Sequence, residues 1–156
     1  MSTDQTIDHE SSTVPRLLVI DDDVIQRTII SKIGAQSGYE TANAASFREA
    51  KKLLTEQTFD CITLDLSLGE QSGVLLLHTM VETNNRVPVI IVSGAEEHIL
   101  ESTGRIARTL GLDSQVLKKP LKLAELRETL VHKREGIVAT RGINQHYQWM
   151  RDRAGG

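Results

Sequence analysis

Short apolar runs alternate with longer segments of helical period along most of this chain. Leu17, Leu18, Val19 and Ile20 follow Arg16 as a continuous run rich in branched side chains, the pattern of a strand buried on both faces. The period then lengthens: Ile25, Ile29 and Ile33, flanked by Val24 and Ile30, recur at helical spacing, and Gly38 closes the segment. Residues 40–44 read as a weak second strand, and Ser46 with Glu49 three positions on is a capping box that opens a helix through Leu53 and Leu54. A third strand over 60–64 ends at Asp65, and a loop with Gly69 and Gly73 leads into a helix over 74–82 whose apolar face is Leu75, Leu76, Leu77 and Met80. A fourth strand over 88–92 precedes a helix over 96–110, and a fifth over 114–117 precedes a helix over 121–134 with Leu123, Leu126, Leu130 and Val131 on its stripe. This alternation predicts an α/β fold, a doubly wound five-stranded parallel sheet with right-handed crossovers and helices on both faces. Residues 1–14 are polar and read as a disordered leader. The segment 135–156 has no core pattern and reads as a tail or linker, although it holds Tyr147 and Trp149.

In an open parallel sheet, chemistry gathers beyond the carboxyl ends of the strands. Here the first strand runs into Asp21, Asp22 and Asp23, the third ends at Asp65, the fourth ends at Ser93 and Gly94, and Lys118, Lys119 and Pro120 follow the fifth. Asp23 alone reads as the N-cap of the next helix, where a carboxylate suits the dipole. Asp21, Asp22 and Asp65 together are different. Three carboxylates within ~5 Å repel by about 3 kcal/mol per pair at an effective dielectric of ~20, so a cation or a raised pKa is required. Oxygen donors without nitrogen or sulfur partners point to Mg²⁺, which keeps positions open for water and phosphate oxygens.

Composition narrows the classes. The chain has 156 residues, 39% apolar and 25% charged, which suits one soluble globular domain. A net charge of −3 lacks the basic surface of a nucleic-acid binder. Cys61 is the single cysteine and sits in an apolar run, so it reads as a buried small hydrophobe with no disulfide framework around it. The acidic N-terminus has no apolar core of a secretory signal, and every apolar run is far too short to span a bilayer. A cytoplasmic location, with neither nucleic acid nor membrane as partner, is the expectation.

Residues 17–22, 64–73, 88–94 and the Lys119-Pro120 pair resemble the four signatures of response-regulator receiver domains, in that family's order and separations. The resemblance covers about residues 15–134 and implies a flavodoxin-like sheet of strand order 2-1-3-4-5. It further implies that Asp65 accepts a phosphoryl group from a histidine kinase or phosphotransfer protein, and that the domain signals to a downstream protein by a conformational shift. Mg²⁺ would be held by Asp22, Asp21, Asp65 and the backbone carbonyl of Ser67. Ser93 would contact the phosphoryl oxygens, and Lys119, with a cis bond to Pro120, would pair with the phosphoryl group. Lys118 points elsewhere by strand alternation. Such a domain is a phosphoacceptor rather than an enzyme in the ordinary sense, promoting only its own phosphorylation and dephosphorylation. Two positions depart from the family pattern: Gly69 replaces a usual proline, and Val116, at the switch position three before Lys119, replaces a common aromatic. Signalling without an aromatic rotamer switch is therefore expected.

Two rival readings come from other classes. The run from Leu17 to Val24 also resembles the nucleophile motif of haloacid-dehalogenase-like phosphatases, with Asp21 as nucleophile and Asp23 as general acid. That reading leaves Asp65 unexplained and lacks the later acidic pair. A receiver-like interaction module that is never phosphorylated is the other, and the full set of Asp22, Asp65, Ser93 and Lys119 argues against it. Residues 93–112 weakly resemble receivers that precede cyclic-di-GMP phosphodiesterase domains, but no residues for that chemistry are present.

Overall fold

A computed structural model describes residues 14–68 and 71–155. Five strands, β1 (Arg16–Ile20), β2 (Glu40–Ala44), β3 (Cys61–Asp65), β4 (Val89–Ser93) and β5 (Ser114–Lys118), form one sheet. All neighbours are parallel and the order is β2-β1-β3-β4-β5. Five helices connect them or follow: α1 (Val24–Gln36), α2 (Phe47–Glu56), α3 (Val74–Glu82), α4 (Glu97–Thr109) and α5 (Leu123–Gly155). After β3, Ser67–Leu68 pairs antiparallel with Gln71–Ser72 in a short ribbon that the sequence shows only as a loop. The leader expected over 1–14, apart from Val14, lies outside the described residues, as does Gly69.

Strand alternation splits the core in two. Leu18, Ile20, Ile62, Leu64, Val89 and Ile91 face α2, α3 and α4, where Leu54, Leu76, Leu77, Met80 and Leu100 cover them. Leu17, Val19, Cys61, Ile90, Val92 and Leu117 face α1 and α5, against Ile30, Ile33, Leu126 and Leu130. β3 and β4 are buried along their whole length, so their sequences run apolar rather than alternating. Cys61 is fully buried, and burial pushes its thiol up to about 12. It is a core residue, as its surroundings in the sequence suggest. Ser46 caps α2 by accepting from the Glu49 N–H at 3.1 Å, and Glu49 reaches back to the Ala45 N–H, a capping box shifted by one residue at its return bond.

Two helices differ from the expected pattern. In α1 the buried face is Ile30, Ile33 and Gly34, while Val24, Ile25 and Ile29 are exposed at 60%, 69% and 37%. Gly34 sets this rotation: a Cβ there would stand 2.6 Å from Leu17 Cδ2, so the helix lies against β1 on its glycine side. The last helix, expected to stop at Arg134, continues to Gly155. Glu135 and Gly136 break the apolar stripe, which hides the continuation. Yet the spacing of Leu126, Leu130, Arg134, Ile137 and Arg141 keeps one side on the domain, through Ile137 packing on the core and an Arg141–Asp60 ion pair at 2.6 Å. Interior glycines cost about 1 kcal/mol each relative to alanine, and here packing on that side offsets them. Leu123 and Val131, expected on the stripe, are largely exposed.

The rotation of α1 is checked by a pair of substitutions. Ile30→Ala is expected to lower unfolding free energy by about 3 kcal/mol, in the range for buried aliphatic truncation. Ile25→Ala should change it by less than about 0.5 kcal/mol. Urea denaturation of both variants distinguishes this face from one centred on Ile25.

Candidate functional site

The carboxyl ends of β1 and β3 are adjacent in the sheet, with Ile20 in register with Leu64. The residues that follow therefore meet. Carboxylate oxygens of Asp21, Asp22 and Asp65 all lie within 4.8 Å of one another. Asp21 and Asp65 are 1% and 4% exposed, whereas Asp22 is open to solvent. Asp65 Oδ1 accepts from the Ser67 N–H at 3.0 Å, and Oδ2 lies 3.4 Å from Lys119 Nζ. The Lys119–Pro120 bond is cis. Ser93, 2% exposed, uses Oγ to accept from the Ala95 N–H at 3.0 Å, which leaves the hydroxyl proton available to donate.

Asp21 carries the electrostatic strain. One oxygen, Oδ1, accepts from the Asp23 N–H at 2.9 Å. Oδ2 is buried and, among the described residues, has no hydrogen-bond partner. Burial, the largest cause, pushes the Asp21 carboxyl up to about 6, and the Asp65 charge pushes the same way. The Asp23 N–H and Lys119 oppose them. A buried oxygen without a donor, among three carboxylates that offer only hard oxygen ligands, fits a divalent cation of the Mg²⁺ type.

The neighbouring side chains sort themselves by geometry. Asp23 caps α1, with Oδ1 accepting from Ile25 N at 2.9 Å and Gln26 N at 3.4 Å. That commitment leaves the phosphatase reading without its general acid. Lys118 points to the α4 side, 2.5 Å from Glu97 Oε2. Val116 is half-buried, in register with Ile91, and packs against the α4-side core. Ser67 opens the ribbon two residues past Asp65.

Two contributors were not singled out from the sequence. Arg27 Nη1 donates to the Asp21 carbonyl at 2.8 Å and braces the β1–α1 turn; its place one helical turn beyond Asp23 is the only signal it leaves. Gly73 was seen as a loop glycine, but a Cβ there would stand 2.7 Å from both the Asp65 carbonyl oxygen and Leu66 Cα. The loop after Asp65 closes back on itself, with Gly73 N–H on Leu66 O at 2.9 Å, only because that position has no side chain.

A doubly wound sheet with an acidic pocket, a buried serine and a lysine at its carboxyl edge defines a signalling domain of the phosphoacceptor class. The model of the response regulator receiver domain matches residues 17–131, and the chain belongs to that family, the receivers of two-component systems. The transcriptional regulatory protein ZraR of Escherichia coli strain K12 is 32% identical over 114 residues, covering 73% of this chain and 25% of that protein. PrrA of Mycobacterium tuberculosis, also a transcriptional regulatory protein, is 32% identical over 130 residues, covering 82% of this chain and 54% of its own length. The chain thus spans a quarter to about half of these relatives. Among solved structures, the receiver domain of NtrX from Brucella abortus is 26% identical with a TM-score of 0.64, covering 76% of this chain and 98% of that one. A CheY-like receiver domain from Methanospirillum hungatei JF-1, 22% identical, shares the fold with a TM-score of 0.70, covering 80% and 96%. Among the described residues, no helix is long and apolar enough to cross a membrane.

Asp21 gives the metal-free domain a pH dependence of unusual sign. With a folded pKa of about 6 against 3.8 unfolded, the folded state holds more protons between those values. Asp21 therefore lowers stability as pH rises through that window, by at most about 3 kcal/mol. In chelator-treated protein, the stability of Asp21→Asn relative to the parent should rise from about pH 4 to about pH 7. A difference that is flat with pH would show that Asp21 is not held in this way.

Proposed function

We propose that Asp65 is the phosphoacceptor, taking a phosphoryl group from the phosphohistidine of a histidine kinase or phosphotransfer protein in a Mg²⁺-dependent reaction. The observation that carries this reading is a buried carboxylate, Asp65, set between Lys119 at 3.4 Å and the carboxylates of Asp21 and Asp22. In the transfer, an Asp65 oxygen forms a bond to phosphorus as the donor's P–N bond breaks. The Ser67 N–H and Lys119 hold the carboxylate in one orientation before attack, so positioning and charge balance supply most of the acceleration. Ser93 donates its free proton to a phosphoryl oxygen, and Lys119 balances the charge on the group. Asp21, Asp22 and Asp65, with the Ser67 carbonyl, would hold Mg²⁺. When bound, that ion neutralises the attacking carboxylate and the incoming phosphoryl charge.

Phosphorylation adds about 1.5 to 2 negative charges beside Lys119 and Ser93. Contacts that these two make only with the phosphorylated residue bias the loop after β4 and α4 toward a second packing, a population shift read by a downstream protein. Moving from mostly off to mostly on takes about 5 kcal/mol of such differential contact. At the switch position, Val116 has neither the length nor the hydroxyl of an aromatic switch, so the change travels through the loop and α4 themselves. The receiver unit is taken as residues 15–134, with 1–14 as a leader and the rest of α5 as a helical tail or linker. A cytoplasmic location accords with this role.

Incubation with acetyl phosphate and Mg²⁺ tests the assignment. Phosphate incorporation should be lost in Asp65→Asn and on addition of chelator, and undiminished labelling of that variant sinks it. Val116→Tyr should label within about twofold of the parent, because the side chain packs on the α4-side core rather than at the carboxylates. A loss of labelling in that variant would place position 116 in the site.

A further inference from the structure

We infer that the cleft between the middle of α5 and the starting ends of β3, β4 and β5 is a binding site for a small, flat, amphipathic anion. The cleft has a volume of about 470 Å³, within the span of roughly 300 to 1,000 Å³ typical of small-molecule sites. It is separate from the acidic pocket. Asp60, one of its lining residues, stands immediately before β3, a strand's length from Asp65.

Two adjacent rows of α5 make one wall. Lys133, Ile137 and Arg141 form the row that ties the helix down, through Asp113 at 3.0 Å, the core beneath α1 and α5, and Asp60 at 2.6 Å. His132, Gly136 and Thr140 form the next row along the cleft, and its middle position is the one without a side chain. A Cβ at Gly136 would meet nothing within 4 Å. No neighbour within the chain therefore demands glycine there, although glycine costs a helix interior stability relative to alanine. Gly34 and Gly73 differ, since a Cβ on either would stand 2.6 or 2.7 Å from its neighbours. What the bare position at 136 leaves is room, in the centre of the wall.

The facing wall supplies an apolar floor and one charge. Val87 and Pro88, both half-buried, lead into β4 and with Ile137 offer an apolar surface to a ring system. Beside them, Arg86 donates through Nη1 to the Leu110 carbonyl at 2.6 Å, a neutral acceptor that fixes the guanidinium without cancelling its charge. The other lining charges cancel in pairs, Lys133 with Asp113 and Arg141 with Asp60. Among the described residues, Arg86 has no carboxylate within ion-pair distance. An occupant that answers both features carries a flat apolar body and a single carboxylate, sulfonate or phosphate-ester charge. A polyanion would meet Asp60 and Asp113 as well, and a neutral ring would leave Arg86 unanswered.

The probe is anilinonaphthalene sulfonate, an aromatic monoanion whose emission rises in apolar surroundings, titrated into the full folded chain. Emission should saturate at one probe per chain, with a dissociation constant on the order of tens of micromolar for a ligand of about 20 non-hydrogen atoms. Gly136→Leu, which fills the middle of the wall, should weaken binding at least about tenfold, because such sites bury most of the ligand. Thr140→Trp, on the same row, is a second block that keeps the glycine, and circular dichroism checks that each variant is folded. Arg86→Gln should weaken the sulfonate about tenfold yet leave phenylnaphthylamine, the uncharged analogue, within about twofold. The inference is overturned by the absence of a saturable signal in the parent, by undiminished binding in a folded blocked variant, or by an Arg86→Gln effect equal for the two probes.

Discussion

Repulsion among carboxylates at one edge of a parallel sheet is the constraint on which this structure turns. β1 and β3 are neighbours, so the residues just past their ends cannot avoid each other, and Asp21, Asp22 and Asp65 fall within 4.8 Å. At an effective dielectric of ~20, each such pair costs about 3 kcal/mol when both members are ionised. Lys119 offsets part of this at 3.4 Å from Asp65, and the Asp21 carboxyl is pushed up to about 6, chiefly by burial, with the Asp65 charge adding to it. The site is thus held under electrostatic load, and any added cation or phosphoryl group changes that load directly.

Such a load is sustained because the strands beneath it cannot move. β3 and β4 are buried end to end, and side chains of β1 alternate between two separate cores. At the opposite edge of the sheet the charges are paired rather than massed. Asp60, just before β3, accepts from the Arg16 N–H at 2.8 Å and pairs with Arg141, while Asp113, just before β5, pairs with Lys133 at 3.0 Å. One edge of the same sheet is therefore neutralised and tied to α5, and the other is left charged.

The fold was legible because its periods are distinct. Branched runs such as Leu17 to Ile20 lie in β1, and Ser46 caps α2 as its spacing to Glu49 implies. The convergence of Asp21, Asp22, Asp65 and Lys119 followed from topology, since strand ends in a doubly wound sheet share an edge. What stayed hidden depended on contacts between distant segments. Ile25 and Ile29 carry the right period for a core face, but the approach of Gly34 to Leu17 decides which side of α1 is buried. Gly73 is one glycine among several until the path of the chain past Asp65 is known. The second half of α5 shows no apolar stripe in the sequence, and among the described residues its ties to the domain include the Arg141–Asp60 ion pair, with Ile137 packed on the core just before it.

The two helices nearest Lys119 differ in how firmly they are held, and this decides where a change at Asp65 can travel. α5 is fixed to the sheet by Leu126 and Leu130, both fully buried, by the Tyr39 hydroxyl on the Leu130 carbonyl at 2.7 Å, and by the pairs to Asp113 and Asp60. Residues 120–122 separate Lys119 from its first turn and can absorb a small movement of that lysine. α4 begins only four residues after Ser93, at Glu97, and has no side-chain cap at its N-terminus. Its inner face rests on Leu100, Thr103 and Ala107, with Ile106 packed beside them, and its first residue, Glu97, pairs with Lys118 at 2.5 Å. On the proposed reading, a charge added at Asp65 would act first on α4, whose uncapped start follows Ser93 most closely in the chain, while α5 would stay with the sheet.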